Sequence, residues 1–226
     1  MDAVHTDVYV VHRSVYAVHT TPHITVQGDP VTAPLHIAVI QGSTRDGRLG
    51  PVVANWLLAH AADRPDLTTD LIDLAETPLP TVFPHLGQAP ERAEDRALLA
   101  AVSPRLAAAD AFVVVTPEYN HSYPASLKNA IDWHHQEWHA KPVGFVGYGG
   151  FSGGLRAVEH LRGVFAELHT VTIREAVGLQ GVWGQFDENG RAVDPAADTA
   201  AKAMLDQLTW WGEALRDARA HKPYAA

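Results

Sequence analysis

The sequence predicts an α/β domain with a doubly wound, five-stranded parallel sheet and helices on both faces. Three observations carry this. From Leu35 onward, strand patterns and helix patterns alternate five times, as in a series of crossover units. Strand segments such as "AFVVVT" (111–116) are continuous apolar runs, as expected for strands covered on both faces. The chain has 226 residues and is 46% hydrophobic, enough to bury a large core.

The elements follow in order. "LHIAVIQG" (35–42) reads as a buried strand ending in a glycine loop, and "GPVVANWLLAHAA" (50–62) has apolar residues at helical spacing. "LTTDLIDL" (67–74) is the second strand, followed by a proline-rich loop from Thr77 to Pro90. Glu91 to Ala109 is an alanine-rich helix in which Pro104 predicts a kink or break. After the third strand, a helix is expected from Ala125 to His139. "PVGFVGYGG" (142–150) is the fourth strand, Gly153 to Leu168 the next helix, and "TVTIREA" (170–176) the fifth strand. Asn189-Gly190 favours a tight hairpin. Pro195 to Arg219 is an amphipathic helix, with Trp210-Trp211 as packing residues.

The first 34 residues differ from this domain, which spans 35–226. "VHTDVYV", "VHRSVYA" and "VHTTPHI", starting at Val4, Val11 and Val18, form a seven-residue echo. We read them as an extension or arm, joined through Gly28-Asp29-Pro30 and Pro34. A net charge of −9 argues against a nucleic-acid partner. The lack of cysteine excludes disulfides, thiolate metal sites and iron–sulfur clusters. No apolar run reaches the roughly 20 residues of a membrane helix, and the N-terminus does not have the pattern of a signal peptide. A cytoplasmic protein with no membrane partner is expected.

Right-handed crossovers place the loops after strands one, three and four at one edge of the sheet, where open α/β sheets bind ligands. The first loop, "QGSTRDGRLG" (41–50), is neither a Walker A loop nor a G-x-G-x-x-G fingerprint. Ser43 and Thr44 offer hydroxyls, the turn and helix N-terminus offer amides, and Arg45 and Arg48 offer forked donors for a phosphate. A polar turn with solvated arginines is the alternative. In the second loop, Pro117 stiffens the chain, and the amides of Glu118, Tyr119 and Asn120 need partners beyond the strand ladder. A flat heterocycle would supply them, with Tyr119 stacked on it or walling it off; the alternative is an ordinary turn. The third, "GYGGFSGG" (147–154), brings Tyr148, Gly149, Gly150 and Ser152 to the same edge, with four glycines within Gly149–Gly154 that let backbone approach a ligand. A phosphate cradle beside two close-approach loops suits a mononucleotide with a planar ring, a description FMN meets.

These loops resemble those of the NAD(P)H-dependent FMN reductases of the flavodoxin-like fold, which include quinone, azo-dye and chromate reductases. The resemblance rests on Gly42-Ser43-Thr44-Arg45 with Arg48, on Thr116 to Asn120 followed by Leu127 to Trp133, and on Gly149-Gly150 with Ser152-Gly153-Gly154. It runs from about Leu35 to Arg219 and implies that Ser43, Arg45 and Arg48 hold the phosphate. It places Pro117 to Asn120 along the isoalloxazine and Gly149, Gly150 and Ser152 at its pyrimidine end. It implies NADPH or NADH as co-substrate and hydride transfer to bound FMN, then to a quinone-like, azo or other small acceptor. It further implies a homodimer or homotetramer, with the Leu127–Trp133 helix at the dimer contact. No side chain is assigned as a catalytic acid, because hydride transfer to flavin needs none; Glu118 is the tempting choice. A one-electron carrier without a nicotinamide reaction, or a non-catalytic protein on the same fold, are the rivals. "WHHQEWH" (133–139) sets His135 and His139 one helical turn apart but offers no third ligand, so no metal is expected.

Overall fold

A computed structural model describes residues 33–85 and 88–225; the Val-His repeats lie outside them. The elements are β1 (Leu35–Gln41), α1 (Gly50–Ala62), β2 (Leu67–Asp73), α2 (Ala93–Ala108), β3 (Ala111–Pro117), α3 (Ala125–Asp132), β4 (Pro142–Gly149), α4 (Leu155–Glu167), β5 (Val171–Gln180) and α5 (Pro195–His221). The strands pair in the order β2-β1-β3-β4-β5, all parallel. This is the flavodoxin-like order, and its switch point lies between β1 and β3.

Side-chain alternation divides the core in two. Ala111, Val113 and Val115 of β3 join Val39, Leu57 and Leu205 beneath α1 and α5. Phe112 and Val114 join Phe145, Leu127 and Leu161 beneath α2, α3 and α4. Burial on both faces explains why the strands read as unbroken apolar runs. Trp211 packs against the first core, whereas Trp210 is 63% exposed, so only one of the pair is a packing residue.

Several expected boundaries move. α2 continues through Pro104. Proline lacks the N–H that would bond the Ala100 carbonyl, but both residues are exposed, so water can satisfy that oxygen. β5 runs on to Gln180 after a bulge opposite Val143–Phe145. Arg162 forks onto the Ile173 and Arg174 carbonyls (2.6 and 3.1 Å) at the bulge. Asn189-Gly190 does not form a two-residue hairpin. Phe186 and Ala192 pair across a wider turn in which the Gly190 N–H donates to the Asp187 carbonyl and only Gly190 has positive φ.

α3 ends at Asp132, well short of His139. The Trp138 indole folds back and donates to the His134 carbonyl (2.9 Å), and the buried His134 ring bonds the Ala130 carbonyl (2.8 Å). Burying Trp138 against Phe112 and Phe165 requires the chain to leave the helix. A short 3-10 turn, Gln136–Trp138, makes that connection.

Candidate functional site

The carboxyl edge at the β1/β3 switch point carries all three loops. Gly42 continues the ladder by donating to Val115 (2.9 Å), and Ser126 Oγ donates to the Gly42 carbonyl (2.7 Å). This fixes where the next loop leaves the sheet. Ser43 is 1% exposed, with its hydroxyl 2.9 Å from that of Tyr119. The amides of Ser43, Thr44 and Arg45 meet no protein acceptor among the described residues. Arg45 makes no ion pair among them either, and its guanidinium lies 5.1 Å from the Tyr119 ring centre. Unpartnered amides before a helix N-terminus, with an unpaired arginine, form an anion cradle.

Arg48 is placed differently from the expectation. Its fork closes on Asp73 (2.6 and 2.8 Å), and it also donates to the Ser43 carbonyl (2.6 Å). Asp73, which the sequence reading did not single out, therefore braces the loop from the end of β2. Gln41 Nε2 adds a bond to the same carboxylate (3.3 Å). Tyr148 is buried in the core under α1, with its hydroxyl beneath the loop. Both that hydroxyl and Gln41 Oε1 are buried without a partner among the described residues. Burial pushes the Tyr148 hydroxyl upward in pKa.

The corner after β3 corrects the expectation of three spare amides. Glu118 N–H donates to the Tyr148 carbonyl (3.0 Å), extending the β3–β4 ladder by one bond. Tyr119 and Ser122 exchange reciprocal bonds (2.7 and 3.0 Å) around Asn120 (φ 49°) and His121 (φ 72°). Two consecutive left-handed residues define a type I′ hairpin turn. Of the three amides, only that of Asn120 has no protein acceptor among the described residues.

Glu118 is a structural cap. Its carboxylate accepts from the Arg156 amide (3.1 Å) and guanidinium (3.2 Å) at the N-terminus of α4. Burial opposes its ionisation. The Ser152 hydroxyl, the Arg156 and Ala157 amides and the Arg156 charge outweigh burial and hold the carboxyl below the ordinary glutamate range. A depressed carboxyl contributes stability above its unfolded-state pKa, about 4.3, and loses it as pH falls through the lower folded-state value. The stability difference between the parent and Glu118→Gln should therefore be larger at pH 7 than at pH 3. Urea unfolding at both values checks this; an equal difference would reject the capping role.

The glycines of the third loop divide by task. An added Cβ on Gly154 would lie 2.4 Å from the Tyr148 nitrogen, and one on Gly153 would lie 3.0 Å from the Gln180 nitrogen. These two serve backbone packing within the protein. Gly149 and Gly150 have only ordinary contacts, at 3.6 Å, and so leave an approach from outside. The Gly150, Phe151 and Ser152 amides have no protein acceptor among the described residues. Phe151 (83% exposed) and Trp183 (77%) flank this segment. Neither stood out in the sequence, because a lone aromatic outside a periodic pattern reads equally as core.

The structure thus brings Ser43, Thr44, Arg45, Tyr119, Asn120, Gly149, Gly150 and Ser152 to one edge. It turns Glu118 and Arg48 to internal partners and buries Pro117 and Tyr148. One anion cradle, one tyrosine and a second set of amides fit FMN: a phosphate at the first loop and a hydrogen-bonding ring edge at the others.

The histidine segment lies at the opposite edge, before β4 and β5. His139 contacts His135 and His169 (ring centres 4.9 and 5.0 Å), and burial together with those neighbours holds it below the usual histidine range. Lys141 donates to the Leu106 and Ala107 carbonyls at the end of α2; burial pushes its ammonium down to about 8. Cations complement the negative helix ends that collect at this edge. Among the described residues no group of three histidine or carboxylate side chains is arranged to hold a metal, and no helix is long and apolar enough to cross a membrane.

Comparison with known proteins agrees with this geometry. The model of the NADPH-dependent FMN reductase family matches residues 35–184. An NAD(P)H-dependent FMN reductase of Schizosaccharomyces pombe is 38% identical over 173 residues, covering 72% of this chain and 80% of the relative. A 2-hydroxy-1,4-benzoquinone reductase of a Burkholderia species is 31% identical, covering 82% of this chain and 98% of the relative. Among solved structures, the flavoenzyme NAD(P)H:(acceptor) oxidoreductase FerB of Paracoccus denitrificans superposes with a TM-score of 0.62 at 25% identity, covering 79% of this chain and 97% of that one. The sheet order, the amide-lined switch point and these likenesses converge on one assignment: the chain belongs to the NADPH-dependent FMN reductase family.

Proposed function

We propose that this FMN-dependent NAD(P)H oxidoreductase reduces small quinone-type or azo acceptors, with Arg45 and the 43–45 amides holding the FMN phosphate. The observation that carries the reading is the amide-lined loop with an unpaired arginine at the β1/β3 switch point. When bound, FMN supplies the hydride- and electron-accepting chemistry. The chain's part is to bind, orient and shield. Arg45 neutralises phosphate charge. Tyr119, fixed through Ser43, walls the space between the phosphate loop and the corner. The Gly150 to Ser152 amides offer fixed dipoles where negative charge develops on reduction. Glu118 moves no proton, since its carboxylate is committed to α4. The quinone and azo acceptors are supported by the Burkholderia relative and by an FMN-dependent NADPH-azoreductase of Staphylococcus haemolyticus, 32% identical. Assembly as a homodimer or homotetramer follows from the resemblance, and a cytoplasmic location belongs to the same reading.

The test is an absorbance scan of the purified protein with FMN, before and after NADPH and NADH, followed by addition of a quinone. Flavin absorbance that bleaches with nicotinamide and returns with the quinone is the expected result. Flavin that bleaches but does not pass electrons to quinones or azo dyes would remove the acceptor assignment. Bound flavin that ignores both nicotinamides would favour the one-electron carrier.

A further inference from the structure

Beside the corner, three side chains that can donate to an anion share one lip. His121 sits at the tip of the I′ turn with φ 72°, a position where glycine is preferred. Non-glycine residues are uncommon in the left-handed region, although histidine is among the better tolerated there, and such residues gather at working sites. Its ring centre lies 6.2 Å from that of His160. His160 Nδ1 is held 3.0 Å from Ser122 Oγ, which fixes the ring against the same turn and leaves Nε2 directed elsewhere. Arg156 stands one helical turn before His160 on α4, so the two project from one face. Glu118 takes one side of the Arg156 fork, yet the Arg156 side chain stays 40% exposed. The Arg156 guanidinium is 6.0 Å from the ring centre of the exposed Phe151. The next carboxylate on the helix, Glu159, is turned to Arg162 (3.2 Å). In a chain with net charge −9, a lip with an arginine, two imidazoles and a bare aromatic ring stands apart.

We infer that Arg156, His121 and His160 form a subsite for the anionic substituent of an aromatic electron acceptor, with Phe151 against its ring. The acceptor class is a quinone or azo compound bearing a sulfonate, carboxylate or ionised hydroxyl. Such a group accepts from the guanidinium and from imidazole N–H groups, whereas an uncharged acceptor gains only the aromatic contact. This inference rests on the reading of the carboxyl edge as the site of acceptor reduction. The 2′-phosphate of NADPH carries the same chemistry, so the experiment must separate the two.

The holoenzyme is compared with the single variants His121→Gly, His160→Gln, Arg156→Gln and Arg156→Lys and with the triple variant that combines the first three, using anthraquinone-2-sulfonate and its neutral 2-hydroxymethyl analogue. Kd for each is read from perturbation of the oxidised flavin spectrum, and kcat/KM with NADPH and with NADH. His121→Gly suits the turn geometry, and Arg156→Lys, which keeps the charge, guards against loss of the α4 contact. The parent should bind the sulfonate about tenfold more tightly than the neutral analogue, the scale of one half-exposed charge-assisted hydrogen bond. That preference should weaken with added salt. His160→Gln and Arg156→Gln should each remove most of it, leave the neutral Kd within about twofold, and leave the NADPH/NADH ratio unchanged; Arg156→Lys should restore part. Equal losses for both quinones, or a preference that survives in the triple variant, would overturn the inference. A shift in the NADPH/NADH ratio with the sulfonate preference intact would assign the lip to the nicotinamide phosphate and overturn it too. If neither quinone is turned over, the acceptor reading fails separately, and the equilibrium binding arm still decides the subsite.

Discussion

Gly154→Ala is expected to be the most damaging single substitution in the domain. The new methyl would stand 2.4 Å from the Tyr148 nitrogen and 2.6 Å from the Gly147 backbone. Those atoms belong to β4, an interior strand paired with β3 and β5, so they cannot swing aside as a side-chain tip would. The residue also holds φ at +85°, where an L side chain adds its own penalty. Overpacking against immobile backbone together with left-handed strain puts the loss at about 3–5 kcal/mol. Urea unfolding of the FMN-free protein measures it. Gly163→Ala is the matched control: it lies inside α4, and beyond its chain neighbours and the helix's own backbone no described atom lies within 4 Å of the new methyl. It should gain about 0.5–1 kcal/mol from helix propensity. A Gly154→Ala protein within 1 kcal/mol of the parent would mean that the loop does not press on β4 as described.

The second large effect concerns Asp73. Removing its carboxylate in Asp73→Ala leaves the Arg48 guanidinium without its forked partner and Gln41 Nε2 without one of its acceptors. It also releases the Ala75 amide, which bonds the same carboxylate at 2.9 Å. A fully buried pair broken on one side costs about 3–5 kcal/mol. Arg48 retains 18% side-chain exposure, so water recovers part, and about 2 kcal/mol is expected. FMN should bind about tenfold more weakly, because the Ser43 carbonyl, and with it the phosphate loop, loses its brace. Flavin fluorescence titration reads this directly. Tighter FMN binding in Asp73→Ala would instead show that a released Arg48 turns to the phosphate, the role the resemblance gave it.

The fold was legible because the strands of this sheet are covered on both faces and the helices alternate with them. Phe112 to Val115 could hardly be anything but a central strand. The boundaries that moved did so for tertiary reasons. Helical spacing from Ala125 to His139 is real in the sequence, but the demand to bury Trp138 overrides it. The three loops of the site were also legible, since their glycines, hydroxyls and arginines fall just after strands. What stayed hidden was the partner of each group. Arg48 and Glu118 look available in sequence, and only the distant positions Asp73 and Arg156 show that they are taken. Spare amides were expected in the first loop and after β3; those at 43–45 lack protein acceptors, whereas after β3 the ladder takes Glu118 and the I′ turn takes Tyr119, leaving Asn120, and a further set lies at 150–152.

The bond between Glu118 and the start of α4 has a consequence for the way this site can evolve. Glu118 lies in the corner after β3 and Arg156 in the first turn of α4, and their bonds tie the two into one unit. A substitution at Arg156 that suits a new acceptor also removes the guanidinium from the carboxylate, which then rests on the backbone amide of the same residue alone among these two bonds. Specificity changes here should show strong epistasis: steps neutral in one background and harmful in another, with paired replacements at 118 and 156 opening routes closed to either alone.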